Sequence, residues 1–90
     1  MRESHQITTL FFGETKEIVG TSCGIIDLPA ECTARQLLDS IFDKFPKLLP
    51  LRGSLLLALD RKLIDLCDYT VLHHLTSSSE LAVLPPFSGG

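Results

Sequence analysis

Ninety residues, 44% of them hydrophobic and 21% charged, allow one domain and no more. Eight basic residues stand against eleven acidic ones, a net charge of −3, so no basic field exists to hold a nucleic-acid backbone. No apolar run approaches the roughly 20 residues of a membrane span, and the polar, mixed-charge opening Met1–Gln6 is unlike a secretory signal peptide, which makes the cytosol the expected location.

A chain of this size buries only about 60% of its unfolded surface, so the core must be compact, and the Leu-rich composition can build it without metal or disulfide. Little room is left for a walled pocket as well, which argues against a self-contained enzyme. Cys23, Cys32 and Cys67 are odd in number and have no Cys-x-x-Cys spacing. They are expected as reduced thiols, small and buried. His73 and His74 are adjacent and on a strand would point to opposite faces, the wrong arrangement for gripping one metal ion, so no metal site is expected.

In chain order, Ile7–Phe12 reads as a first strand, with Ile7, Thr9 and Phe11 on one face and Thr8, Leu10 and Phe12 on the other. Glu14–Val19 suits a short helix stopped by Gly20. Ser22–Leu28 reads as a second strand, stopped by Pro29. Thr33 and Gln36 have capping-box spacing. Leu37, Leu38, Ile41, Phe42 and Phe45 then recur at helical intervals, and Pro46 ends the helix. Lys47–Gly53 is expected to be irregular. The apolar run Leu55–Leu59 predicts a central strand buried on both faces. Arg61-Lys62 would turn it into a short partner strand, Leu63–Leu66. One helical turn is expected within Tyr69–Leu75. Glu80–Pro85 closes the series, with Leu81 and Val83 on one face and Glu80, Ala82 and Leu84 on the other. Strands with one amphipathic helix make a two-layer α+β domain.

The last six residues are Pro85-Pro86-Phe87-Ser88-Gly89-Gly90. Proline cannot donate to a sheet ladder, so pairing should stop at Pro85, giving a domain over 1–84 and an arm over 85–90. Two prolines fix φ and project the chain stiffly. Fully extended, the arm reaches about 20 Å. Gly89 and Gly90 lack Cβ atoms, so its end is thin and free to adopt many conformations. Such an arm can carry a carboxylate into a narrow channel of a partner, and glycine leaves nothing beside the carbonyl to obstruct a nucleophile.

From Gln6 to Gly90 the chain resembles the family of ubiquitin-like sulfur carriers that includes the small subunits of molybdopterin synthase. The resemblance rests on Leu10-Phe11-Phe12-Gly13, Glu17-Ile18-Val19-Gly20, the capped helix at Thr33, Leu57-Ala58-Leu59 before a hairpin, and above all Leu81-Ala82-Val83-Leu84-Pro85-Pro86-Phe87-Ser88-Gly89-Gly90. The chain departs from the family at Ser78-Ser79-Glu80, where Gly-Asp-Glu is usual. The resemblance implies a ubiquitin-like β-grasp fold, with a mixed sheet of about five strands on one main helix and a flexible C-terminal tail. It also implies a chemistry. A ubiquitin-activating-type enzyme joins Gly90 to AMP using ATP, sulfur displaces AMP to leave a thiocarboxylate, and the arm enters the large subunit to add sulfur to a pyranopterin precursor. Gly90 would be the reactive residue, with Gly89, Ser88 and Phe87 giving access. No permanently bound cofactor is implied. The catalytic acids and bases would belong to the large subunit, in a complex of two small and two large subunits.

Periodicity supplies a docking surface. Phe12, Leu63 and Leu84 are large apolar residues on otherwise more polar strand faces. If they cluster they form a patch suited to a partner. In the family, matching positions contact the large subunit and the activating enzyme. Pro85 and Pro86, at the arm's root, are expected to join that contact. Asp39, Asp43, Asp60, Asp65 and Asp68 either meet a basic partner rim or form a solvated face. Three other readings stay open: a sulfur carrier for thiamine or tRNA thiolation, a modifier conjugated to lysines, and a non-covalent interaction domain to which Gly89-Gly90 is dispensable.

Overall fold

The computed structural model describes residues 4–86. The chain runs β1 (Ser4–Phe11), α1 (Glu14–Val19), β2 (Cys23–Pro29), β3 (Glu31–Cys32), α2 (Ala34–Lys44), a 3-10 segment (Pro46–Leu51), β4 (Leu56–Leu59), β5 (Lys62–Leu63), β6 (His73–His74) and β7 (Glu80–Leu84). Five strands form one sheet in the order β2-β1-β7-β4-β5, and β3 with β6 forms a separate two-stranded ribbon. β1 and β7 lie parallel at the centre, and the other pairs are antiparallel. This is the α+β, β-grasp arrangement.

Strand alternation determines which side chains face the helix. Ile7, Thr9 and Phe11 of β1, Ile26 and Leu28 of β2, Leu57 of β4, and Leu81 and Val83 of β7 all point into the core. There they meet Leu37, Ile41 and Phe42 of α2. Thr9 is tolerated in this apolar layer because its hydroxyl donates to the Ile7 carbonyl, 3.3 Å away. α2 begins as expected: the Gln36 backbone N–H donates to Thr33 Oγ1 at 3.3 Å, and the Thr33 N–H donates to Gln36 Oε1 at 2.8 Å. Gly20 ends α1 in the left-handed conformation, φ 90°.

Five expectations need correction, one of them the burial of all three cysteines. Pro46–Leu51 is ordered as a 3-10 segment, not irregular. The Leu48 and Arg52 N–H groups donate to the carbonyls of Phe45 and Leu49, so the ladder needs neither proline's missing N–H. Leu55–Leu59 is not buried on both faces: Leu57 faces the core and Leu56 the open side of the sheet, where it is half-buried, while Leu59 packs against the core but is half-buried near the turn to short β5. The hairpin turns one residue earlier than expected, at Asp60-Arg61, both with positive φ (50° and 72°), and β5 spans only Lys62–Leu63. Tyr69–Leu75 holds no helical turn. Its His73 and His74 pair with Cys32 and Glu31, completing a ribbon that two-residue strands are too short to announce by periodicity.

The cysteines also divide. Cys32 is buried, whereas Cys23 and Cys67 are exposed. Burial pushes the Cys32 thiol above its ordinary pKa. The two histidines diverge as alternation requires. His74 Nδ1 lies 3.2 Å from the Glu31 carboxylate on the surface, and His73 Nε2 is buried without a hydrogen-bond partner.

Candidate functional site

The sheet face opposite α2 is open, and the registers lay one row of side chains across it. Cys23 pairs with Leu10, Leu10 with Ala82, Ala82 with Ala58, and Ala58 with Leu63, a path that crosses all five strands. The next row toward the C-terminal end of β7 pairs Leu84 with Leu56. Phe12 follows the last paired residue of β1, and its N–H donates to the Val83 carbonyl at 3.1 Å, so it stands beside Leu84. The row in the opposite direction turns polar, with Thr8 against Glu80 and Ile25 at the edge. The apolar patch is therefore displaced toward the end of the sheet where the chain leaves for Pro85.

Phe12, Leu63 and Leu84 share this face. Phe12 is 46% exposed and Leu63 64% exposed, while Leu84 is half-buried. Pro85 and Pro86 follow directly and are also half-buried. Sequence reasoning missed Leu10, Leu56, Ala58 and Ala82, which make the patch continuous. Leu10 and Ala82 carried the signal, since alternation puts them on the same faces as Phe12 and Leu84. Leu56 and Ala58 were hidden inside an all-apolar run. Phe87, Ser88, Gly89 and Gly90, the expected access and reactive residues, lie outside the described residues.

At the root of the arm, Phe12 and Gly13 of the β1–α1 connection and Thr15 of α1 meet the end of β7. Gly13 adopts φ 57°, ψ −132°, a conformation open to glycine. A Cβ placed on it would stand 3.0 Å from Cγ of Pro85. Thr15 is fully buried. Its hydroxyl proton lies between the carbonyls of Phe12 (2.6 Å) and Val83 (3.1 Å), and its oxygen accepts the Phe12 N–H at 3.1 Å.

Three of the five noted aspartates organise turns. Asp60 Oδ1 accepts from the Glu80 N–H, Asp65 Oδ1 from the Cys67 N–H, and Asp68 Oδ1 from both the N–H and the hydroxyl of Thr70. The Thr70 hydroxyl is the main reason the Asp68 carboxyl lies below its ordinary range. Among the described residues, no group of three His, Cys, Asp or Glu side chains is placed to hold a metal ion. No helix among them is long and apolar enough to cross a membrane. A groove of about 500 Å³ beside α2 is lined by Arg35, Leu38, Phe42, Arg52 and Tyr69 among others, with no thiol or imidazole.

The comparisons with known proteins agree with this geometry. The family model described as "ThiS family" matches residues 9–90. A Drosophila sechellia protein named molybdopterin synthase sulfur carrier subunit is 38% identical over 84 residues, 93% of this chain and 90% of that one. The human protein of the same name is 33% identical over 85 residues, 94% of each. Among solved structures, SAMP1 from Haloferax volcanii superposes with a TM-score of 0.70 at 20% identity, covering 94% of this chain and 99% of that one. A chain of the complex of subunits 1 and 2 of the molybdopterin-converting factor from Helicobacter pylori gives 0.62 at 22% identity, with the same coverage. The structural neighbours share the ubiquitin-like β-grasp fold, and the match over nearly the whole length makes this chain a member of the ThiS family.

Proposed function

We propose that this chain is the sulfur carrier subunit of a molybdopterin synthase. The observation that carries the reading is the continuous apolar face, Leu10, Ala82, Ala58 and Leu63 with Leu84 and Phe12, which runs up to the root of the arm ending in Gly89-Gly90. A partner seated there would receive the arm directly. Covering what Phe12 and Leu63 still expose recovers part of the roughly 1.5–3 kcal/mol that full burial of each contributes. The names of the curated relatives support the pathway.

On this reading the Gly90 carboxylate is inert until activated, because its charge is delocalised and its leaving group is poor. A ubiquitin-activating-type partner supplies ATP. A carboxylate oxygen attacks the α-phosphorus, pyrophosphate leaves, and Gly90 becomes an acyl adenylate. A sulfide equivalent from a sulfur donor then adds to the acyl carbon and expels AMP, leaving the thiocarboxylate. Inside the large subunit that sulfur adds to the pyranopterin precursor. Water then cleaves the acyl–sulfur bond, so the sulfur stays on the pterin and the carboxylate returns. Gly89 and Ser88 keep the approach narrow, and Phe87 leads out of Pro85-Pro86. ATP belongs to the activating enzyme, and the chain itself holds no permanent cofactor. The acids and bases belong to the large subunit, in a complex of two small and two large subunits. The cytosol is the matching compartment.

Removing Gly89-Gly90 tests this. The truncated chain is expected to bind the large subunit and yield no molybdopterin. Full activity of the truncation would instead favour a non-covalent binding domain. Conjugates to lysines of other proteins, seen as higher masses on a denaturing gel, would favour a modifier.

A further inference from the structure

We propose that Thr15 and Gly13 are positioning residues that aim the C-terminal arm, a role resting on the carrier reading above. Strand pairing does not by itself direct the chain beyond Val83. On one side Leu84 is still paired with Leu56 of β4, but on the other β1 has ended at Phe11 and turned away into α1. The first turn of α1 takes the place of the missing strand. The Val83 carbonyl receives the Phe12 N–H at 3.1 Å and shares the single Thr15 hydroxyl proton, at 3.1 Å, with the Phe12 carbonyl at 2.6 Å, so Thr15 ties the end of β7 to the start of the β1–α1 connection.

Two residues further on, the Pro85 ring lies against the bare Cα of Gly13. A Cβ there would stand 3.0 Å from Pro85 Cγ, and the positive φ of 57° disfavours any other residue in any case. Because proline's φ is fixed, the position of its ring sets the direction in which the chain continues. The exit is thus held on two sides, by a hydroxyl on the last core carbonyl and by a glycine platform under the first arm residue. Both come from the β1–α1 corner, some seventy residues earlier in the sequence.

Thr15 is fully buried and cannot touch a partner. Its effect on sulfur transfer must pass through the arm. A carrier whose reacting atom sits several residues beyond Pro85 gains from a directed root, because the end then searches less volume inside the channel. A misplacement of about 1 Å can cost a large factor in rate even when binding is unchanged.

The test uses full-length chain bearing a Gly90 thiocarboxylate, mixed with large subunit and precursor. Affinity and the single-turnover transfer rate from the preformed complex are measured separately. Thr15→Val keeps the shape and removes the hydroxyl, and Thr15→Ser restores it. Thr15→Val is expected to bind within about twofold of wild type and to transfer about tenfold more slowly, with Thr15→Ser close to wild type. Pro85→Ala alters the same contact from the arm's side, beyond the last strand, and keeps the test decisive if Thr15→Val does not fold. It too is expected to slow transfer more than it weakens binding. Wild-type transfer rates from the complex in both variants, or from Pro85→Ala alone where Thr15→Val does not fold, would overturn the positioning role while leaving the carrier reading in place. No transfer from the wild-type thiocarboxylate, with large subunit proven competent on another carrier, would overturn the carrier reading and this role with it.

Discussion

Asp60 and Glu80 exchange two hydrogen bonds: the Asp60 N–H donates to the Glu80 carbonyl at 2.9 Å, and the Glu80 N–H donates to Asp60 Oδ1 at 2.9 Å. The hairpin turn between β4 and β5 thereby fixes where β7 begins. Asp60 does this from φ 50°, which asparagine shares at little cost. Asp60→Asn is therefore expected to be nearly neutral. Asp60→Ala removes this exposed hydrogen bond, leaving the Glu80 N–H to water, and is expected to cost about 0.5–1.5 kcal/mol, measured by urea unfolding.

The same corner explains how the chain manages with Ser78-Ser79 before its last strand. Ser79 Oγ accepts the Thr76 N–H at 2.9 Å, and the Ser79 N–H donates to the Thr76 carbonyl at 3.0 Å. Ser79→Ala is expected to lower the melting temperature by a few degrees, equivalent to about 1 kcal/mol in a domain of this size. Ser79→Asp, which keeps an acceptor oxygen at this position, is expected to lose less.

The sheet needs α2, and α2 starts at a capping box. Thr33→Ala is expected to destabilise by about 1 kcal/mol. Leu37→Ala removes a fully buried side chain facing the sheet and is expected to cost about 2–5 kcal/mol. Equilibrium denaturation separates the two magnitudes.

Cys32 and the two exposed cysteines should behave as different chemical species. Iodoacetamide under native conditions is expected to add two groups rapidly, at Cys23 and Cys67, and the third only on unfolding. Intact mass reads the count. Burial raises the folded pKa of Cys32, so its contribution to stability is complete below the ordinary thiol pKa. That contribution is lost as pH rises toward the folded value, because the unfolded thiol ionises first.

The open face should govern association without governing folding. Leu63→Asp and Leu84→Asp are expected to abolish binding of the large subunit while leaving far-UV circular dichroism unchanged. Leu63 is the cleaner test, since most of its surface already meets solvent. Unaltered affinity in both variants would remove the docking role of this face.

The sequence was most readable where a local rule and the global fold agree. The Thr33–Gln36 box, the Gly20 stop and the alternation of Ile7, Thr9 and Phe11 each have one physical reading, and each is present in the structure. The run Leu55–Leu59 was not readable, because five apolar residues carry no period, and only the position of β4 beside β5 shows which of them face outward. The β3–β6 ribbon was hidden for another reason: two residues per strand give no alternation, and their pairing depends on a fold that brings Glu31 to His74. Of the candidate site, Phe12, Leu63 and Leu84 could be named from strand faces alone. Their union through Leu10, Ala82 and Ala58 required the register. Thr15 gave no sequence signal, since a threonine in a first helical turn reads as a solvent-facing residue until β7 is laid beside it.

The central claim is that Gly90 carries sulfur as a thiocarboxylate. The most direct measurement is the intact mass of the chain after incubation with ATP, a sulfur donor and the activating enzyme, beside a chain lacking Gly90. The expected result is a mass gain equal to sulfur replacing one oxygen, in the full chain alone. No gain, with the activating enzyme proven competent on another carrier, would contradict the account and reduce Gly90 to an ordinary terminus.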